Sequence, residues 1–129
     1  MKWLGSALRH VLSFTGIIPK PDFVYEFVED HPNPEMMLPD RIYVVGGKGY
    51  QKWAYFKCPT QNGDIIQLSL QANRRPRWTV TRDFLWRPTV HPSVRQTEGS
   101  FAHFWVRKGR VDWCADSGKP FQANVKPND

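Results

Sequence analysis

Residues 101–114 read FAHFWVRKGRVDWC. Aromatic and β-branched residues flank Lys108-Gly109, a pair suited to a two-residue hairpin loop, where glycine accepts positive φ without a Cβ clash. Closing a hairpin there pairs Arg107 with Arg110, Val106 with Val111, Trp105 with Asp112 and His103 with Cys114. By the period of two, His103, Trp105, Asp112 and Cys114 then share one face. Asp112 becomes the diagonal neighbour of His103, within reach for a long side chain. An imidazole beside a carboxylate is the orienting pair of a general base. A half-buried histidine hydrogen-bonded for structural reasons has the same spacing. A loop one residue longer flips the register and separates the pair.

Working outward, short strand signals recur between turns: Phe23–Glu29, Ile42–Val45, Trp53–Cys58, Ile65–Leu70, Trp78–Thr81, Val90 with its neighbours, and the two halves of the hairpin. Asn62-Gly63 is a strong hairpin signal, and Gly46-Gly47-Lys48-Gly49 reads as a turn, lacking the spacing of a phosphate-binding loop. Residues 31–40, with three prolines, read as a loop. Short strands at this spacing imply a mainly β fold: a compact antiparallel sheet, or a rolled barrel or sandwich. Trp3, Leu4, Ala7, Leu8, Val11 and Leu12 form one helical stripe that Gly16 and Pro19 terminate, so a short N-terminal helix precedes the sheet. The expected organisation is a single domain: an N-terminal helical segment over 1–20, a β core over 39–116 and a polar tail over 119–129. Trp53, Phe56, Ile66, Leu68, Leu70, Val106 and Val111 are the expected core.

A chain of 129 residues with 14% aromatic content has enough large apolar groups for one core, which excludes simple disorder despite a mean hydropathy of −0.55. Eleven prolines and nine glycines argue against a helical bundle. No run approaches the ~20 apolar residues of a membrane span, so no membrane partner is expected. The start Met-Lys-Trp-Leu resembles a signal peptide, but Arg9 and His10 interrupt the apolar run, and a cytoplasmic location is expected. Two cysteines allow one disulfide at most. A net charge of +6 suits a polyanion or an acidic protein without choosing between them.

Three kinds of chemistry fit the remaining polar residues. A base at His103 requires a nucleophile. Ser93 lies in Pro88-Thr89-Val90-His91-Pro92-Ser93-Val94, where prolines stiffen the backbone around a hydroxyl. Cys114 is the rival, being intrinsically more nucleophilic. Cys58, His91, His103 and Cys114 are metal-ligand types, but neither C-x-x-C nor H-E-x-x-H spacing is present. Arg74, Arg75 and Arg77 before Trp78 form a basic, aromatic loop that suits single-stranded nucleic acid, a carboxylate or an acidic protein. A solvated loop has the same composition.

The ordered stretches RIYVVGGKGYQKWAYFKCP, IIQLSL, RPRW, PTVHPSV and GSFAHFWVRKGRVDWC, running from Pro39 to Trp113 and just beyond, resemble a bacterial family of peptidases. Its members are encoded in ubiquitination-like operons beside a ubiquitin-like protein and E1-like and E2-like enzymes. The resemblance implies a hydrolase that matures the ubiquitin-like protein, removes it from conjugates, or both, with the E1-like and E2-like proteins as further partners and nucleic acid not among them. Two departures bear on mechanism. The family's C-P-C-G-C-G-like run is Cys58-Pro59-Thr60-Gln61-Asn62-Gly63 here, and its cysteine before the H-F pair is Ser100. The missing cysteines look like zinc ligands, so no cofactor is expected, with zinc the alternative. The serine of P-S-V and the histidine of A-H-F are retained as Ser93 and His103, which favours serine chemistry. With Ser93 as the expected nucleophile and His103 as its base, Asp112 of the hairpin is the expected orienting carboxylate and Asp64 a second candidate, while Cys114 remains the alternative nucleophile. Arg75, Arg77 and Trp78 are the expected substrate contacts. A non-catalytic basic module binding nucleic acid or protein is the reading from another class.

Overall fold

The structure, a computed structural model describing residues 2–60 and 63–119, has one helix, α1 (Lys2–Phe14), and eight strands among those residues. They are β1 (Val24–Val28), β2 (Arg41–Gly47), β3 (Tyr50–Lys57), β4 (Ile65–Ser69), β5 (Thr79–Arg82), β6 (Pro88–Arg95), β7 (His103–Arg107) and β8 (Arg110–Trp113). The strands form two four-stranded sheets, ordered β1-β2-β3-β4 and β5-β6-β7-β8. All neighbours are antiparallel except β1 and β2. The mainly β expectation holds, as stacked open sheets rather than a closed barrel. The parallel pair requires a long return. The proline-rich segment between β1 and β2 supplies it, with one 3₁₀ turn at Pro34–Met36.

Alternation places the core between the sheets. Ala54, Phe56, Ile66 and Leu68 point inward from the first sheet, and Val90, Val94, Phe104 and Val106 from the second. Phe56 meets Phe104 edge-on at 6.4 Å between centroids and meets Phe23 at 5.3 Å. Such aromatic pairs add about 0.5–1.5 kcal/mol beyond their area. Two expected core residues are placed differently. Trp53 is odd-numbered on a strand whose even positions face inward, so it lies on the outer face beneath the Arg74 guanidinium. Val111 is only half-buried, packed against the core from the edge strand. Leu68 is 3% exposed. Leu68→Ala is expected to lower unfolding stability by about 2–5 kcal/mol in a denaturant titration; a near-neutral value would place that position outside the core.

The hairpin of β7 and β8 forms in the expected register, with Trp105 opposite Asp112 and Val106 opposite Val111. Lys108 and Gly109 both have positive φ, at 47° and 76°. Gly109 is required twice over, because a Cβ there would stand 2.7 Å from the Phe23 carbonyl oxygen. That contact lets the Gly109 carbonyl accept from the Asp22 and Phe23 N–H groups at 2.8 and 2.9 Å. The turn signal at Asn62-Gly63 and the expected polar tail fall largely outside the described residues.

Candidate active site

The site lies where the ladder between β6 and β7 breaks. Val90 pairs with Val106 and Val94 with Phe104, so His91, Pro92 and Ser93 together face Trp105 alone. Extra residues on one strand bend it and re-aim a side chain. Pro92 also has no N–H to give to the ladder. The flanking Val90 and Val94 both stay in the core, so the bulge is anchored at each end. Trp78 holds its middle, its indole N–H donating to the Ser93 carbonyl at 3.2 Å.

On the outer face of β7, His103 Nε2 stands 3.0 Å from Ser93 Oγ. Its Nδ1 stands 2.6 Å from Asp116 Oδ1. A carboxylate only accepts, so Nδ1–H donates to Asp116 and Nε2 is left to accept from the Ser93 hydroxyl. This assigned tautomer is the one a general base at Nε2 requires. Arg95 Nη2 donates to Asp116 Oδ2 and also lies 2.7 Å from Nδ1. A guanidinium has no lone pair to give, so two donors converge on one carboxylate. The turn after β8 delivers Asp116. Cys114 N–H donates to the His103 carbonyl at 2.9 Å, Gly118 N–H to the Phe101 carbonyl at 2.9 Å, and Ser117 Oγ accepts from His103 N–H at 3.1 Å. Both the backbone and the ring of His103 are thereby fixed.

Hydrogen bonds from His103 and then Arg95 hold the Asp116 carboxyl down to about 2, so it is ionised throughout the physiological range. Cys114 is affected the opposite way. Burial, and after it the Asp116 charge, push its thiol up. A thiol rather than a thiolate near neutral pH is a poor nucleophile.

The structure brings together Ser93 and His103, and it replaces the expected carboxylate. Asp112 does occupy the expected register position, but its Oδ2 accepts from Arg107 at 3.0 Å and both side chains are more than half exposed. A diagonal contact needs reach, and the short aspartate side chain finds Arg107 instead. Asp64 stands just before β4 in the other sheet, its carbonyl accepting from Cys58 N–H at 2.6 Å. Asp116, absent from the sequence expectation, takes the place at Nδ1. His91 is exposed, with its ring 6.0 Å from Trp105. Of the expected substrate contacts, Trp78 touches Ser93 directly. Arg75 donates to the Ala72 and Arg74 carbonyls, and Arg77 to Leu70.

The thiol and hydroxyls where the resemblance implies zinc ligands lie together. Cys58 Sγ and Ser100 Oγ both donate to Gln96 Oε1, at 3.2 and 2.5 Å, and Thr60 Oγ1 donates to Cys58 Sγ at 3.4 Å. One thiol, two hydroxyls and an amide do not fit a structural zinc site, which takes thiolate and imidazole. Elemental analysis of the purified chain is expected to find substoichiometric zinc. Among the described residues, His103, Cys114 and Asp116 also place ligand-type atoms within 4.8 Å of one another. Cys58 and His91 are not in that group. The Arg95 cation already bound to Asp116 opposes a second cation there.

Comparison with curated proteins and with solved structures gives no match. A family model does match, over residues 27–114, and it describes the bacterial ubiquitination-like system serine protease (BubE). The matched span contains the bulge, Ser93 and His103 and stops two residues before Asp116. With more than half of its length matched by that model, the chain belongs to the bacterial ubiquitination-like system serine protease family.

Proposed function

We propose that the chain is a serine peptidase that cuts after the C-terminal tail of a bacterial ubiquitin-like protein, maturing its precursor and releasing it from conjugates. The observation that carries this reading is the order of hydrogen bonds from Ser93 Oγ through both nitrogens of His103 to Asp116. Ser93 Oγ attacks the scissile carbonyl carbon while His103 Nε2 takes the hydroxyl proton. Collapse of the tetrahedral species breaks the C–N bond, and His103 returns the proton to the leaving amine. Water then attacks the acyl-serine ester by the same base, freeing the carboxylate of the tail. Asp116 keeps Nδ1 protonated and balances the imidazolium. In this reading Arg75 and Arg77, on the loop that ends at Trp78, turn from their backbone carbonyl partners to meet substrate carbonyls or acidic groups beside the tail.

The basic loop supports the nucleic-acid reading less well. Arg74 lies over Trp53 at 5.5 Å, so the guanidinium covers the ring on which a base would stack. The test is cleavage of the ubiquitin-like protein encoded beside this chain, carrying a C-terminal extension, followed by mass spectrometry. Release of the extension is expected, with Cys114→Ala cutting within a few-fold of the parent. Loss of cutting in a folded Cys114→Ala protein would transfer the nucleophile to the thiol. No cutting by the parent, together with salt-sensitive binding of single-stranded DNA, would favour the binding module.

A further inference from the structure

Helix α1 is amphipathic but sits with its polar side inward. Gly5 and Arg9, one turn apart, are its two buried residues. A Cβ at Gly5 would lie 2.1 Å from the Phe84 carbonyl oxygen, so only glycine permits this approach. Arg9, 5% exposed, donates from Nη1 to the Leu85 carbonyl at 3.1 Å. The receiving loop is itself rigid, because Asp83 accepts from the N–H groups of Leu85 and Arg87 and from Arg87 Nε. These contacts fix the rotation of the helix. The apolar stripe therefore faces outward: Trp3 is 66% exposed, Leu4 46%, Val11 57% and Phe14 94%, with Ile17 continuing the face at 71%.

From this arrangement we infer that α1 docks the protein onto an anionic membrane surface, lying in the plane of the headgroups with Trp3, Leu4, Leu8, Val11 and Phe14 inserted. Among the described residues no helix is long and apolar enough to cross a membrane. A helix in the interface needs no span, only one apolar face, a cationic flank and modest overall hydrophobicity. Charge supplies the complementarity. Lys2 and Lys20 accompany the helix, the first acidic residue is Asp22, and the chain carries +6. A cavity of about 440 Å³ opens beneath the C-terminal end, where Lys20 joins the buried Arg9 and an Arg41 that pairs with Asp40 at 3.0 Å. It shares no residue with the candidate active site. A second copy of the chain fits less well. One convex helix of 13 residues is about 20 Å long and offers far less than the roughly 800 Å² per partner of a stable interface.

The test sediments the full chain with vesicles of phosphatidylglycerol and phosphatidylethanolamine, and with vesicles of phosphatidylcholine alone. Binding to the anionic vesicles is expected, weakened by salt and reduced about tenfold or more by Val11→Asp. Val11 is exposed, so the variant keeps the fold, checked by circular dichroism. Phe14→Ser, at the most exposed position, is expected to act in the same direction. A parent chain that stays in the supernatant with anionic vesicles overturns the inference, as does binding that Val11→Asp and Phe14→Ser leave unchanged. A parent that binds no vesicles but is a dimer, split by Val11→Asp, makes the face a self-association surface instead. The readout is lipid binding, so neither outcome depends on the peptidase reading.

Discussion

Ser93→Ala and His103→Ala are each expected to lower kcat/KM on the ubiquitin-like substrate by on the order of 10⁴- to 10⁶-fold, and the double substitution to add little. The reason is the single proton path. Ser93 Oγ reaches its base only through the 3.0 Å contact with His103 Nε2. Without the base the hydroxyl is a weak nucleophile, and without the hydroxyl the base has no attack to assist. Folding must be checked in both, for different reasons. Ser93 sits in a bulge anchored by Val90, Val94 and the Trp78 indole, none of which uses the hydroxyl. His103 is bonded through its backbone to Cys114 and Ser117, contacts that alanine retains. A folded Ser93→Ala protein that still cuts near the parental rate would end the serine mechanism, whatever the behaviour of His103→Ala.

Much of this arrangement can be read from residues, and the parts that cannot share a cause. The register from Trp105–Asp112 to Arg107–Arg110 follows from Lys108-Gly109, because a two-residue loop leaves one pairing. Local chemistry decides it. Ser93 is visible as a proline-bracketed hydroxyl, but its meeting with His103 depends on a two-residue mismatch between β6 and β7 that no pattern in either strand announces. Asp116 is less visible still. The period of two ends with β8, and the carboxylate arrives by a turn that folds back over β7. The run Asp116-Ser117-Gly118 is the available signal, a turn sequence directly after a strand. Trp53 shows the opposite error, where a large apolar ring suggests burial although Phe56, three residues on, must then face the other way. The stripe on α1 is legible as a stripe. Its outward orientation is not, since it depends on Gly5 and Arg9 meeting a loop some eighty residues away in sequence.

Asp116→Asn is expected to cost on the order of 10²- to 10⁴-fold in kcat/KM, and Asp112→Asn to leave it within a few-fold. Both aspartates lie close to His103 in sequence, and the pair separates the observed geometry from the hairpin expectation. An amide at 116 offers Nδ1 a donor as readily as an acceptor, so the ring is free to turn to the tautomer that protonates Nε2 and cannot accept from Ser93. It also withdraws the charge that balances the imidazolium and that Arg95 Nη2 binds beside Nδ1. At 112 the same change removes only an exposed bond to Arg107. The pH dependence carries a sign of its own. Because His103 and Arg95 depress the Asp116 carboxyl to about 2, its contribution to stability is complete above the ordinary aspartate value near 4 and is lost as pH falls through about 2. Between those values the parent should outlast Asp116→Asn in an acid-unfolding titration, relative to their difference at still lower pH, while Asp112→Asn should follow the parent. Equal cleavage by Asp116→Asn and the parent would remove Asp116 from the mechanism and leave His103 oriented by its backbone contacts alone.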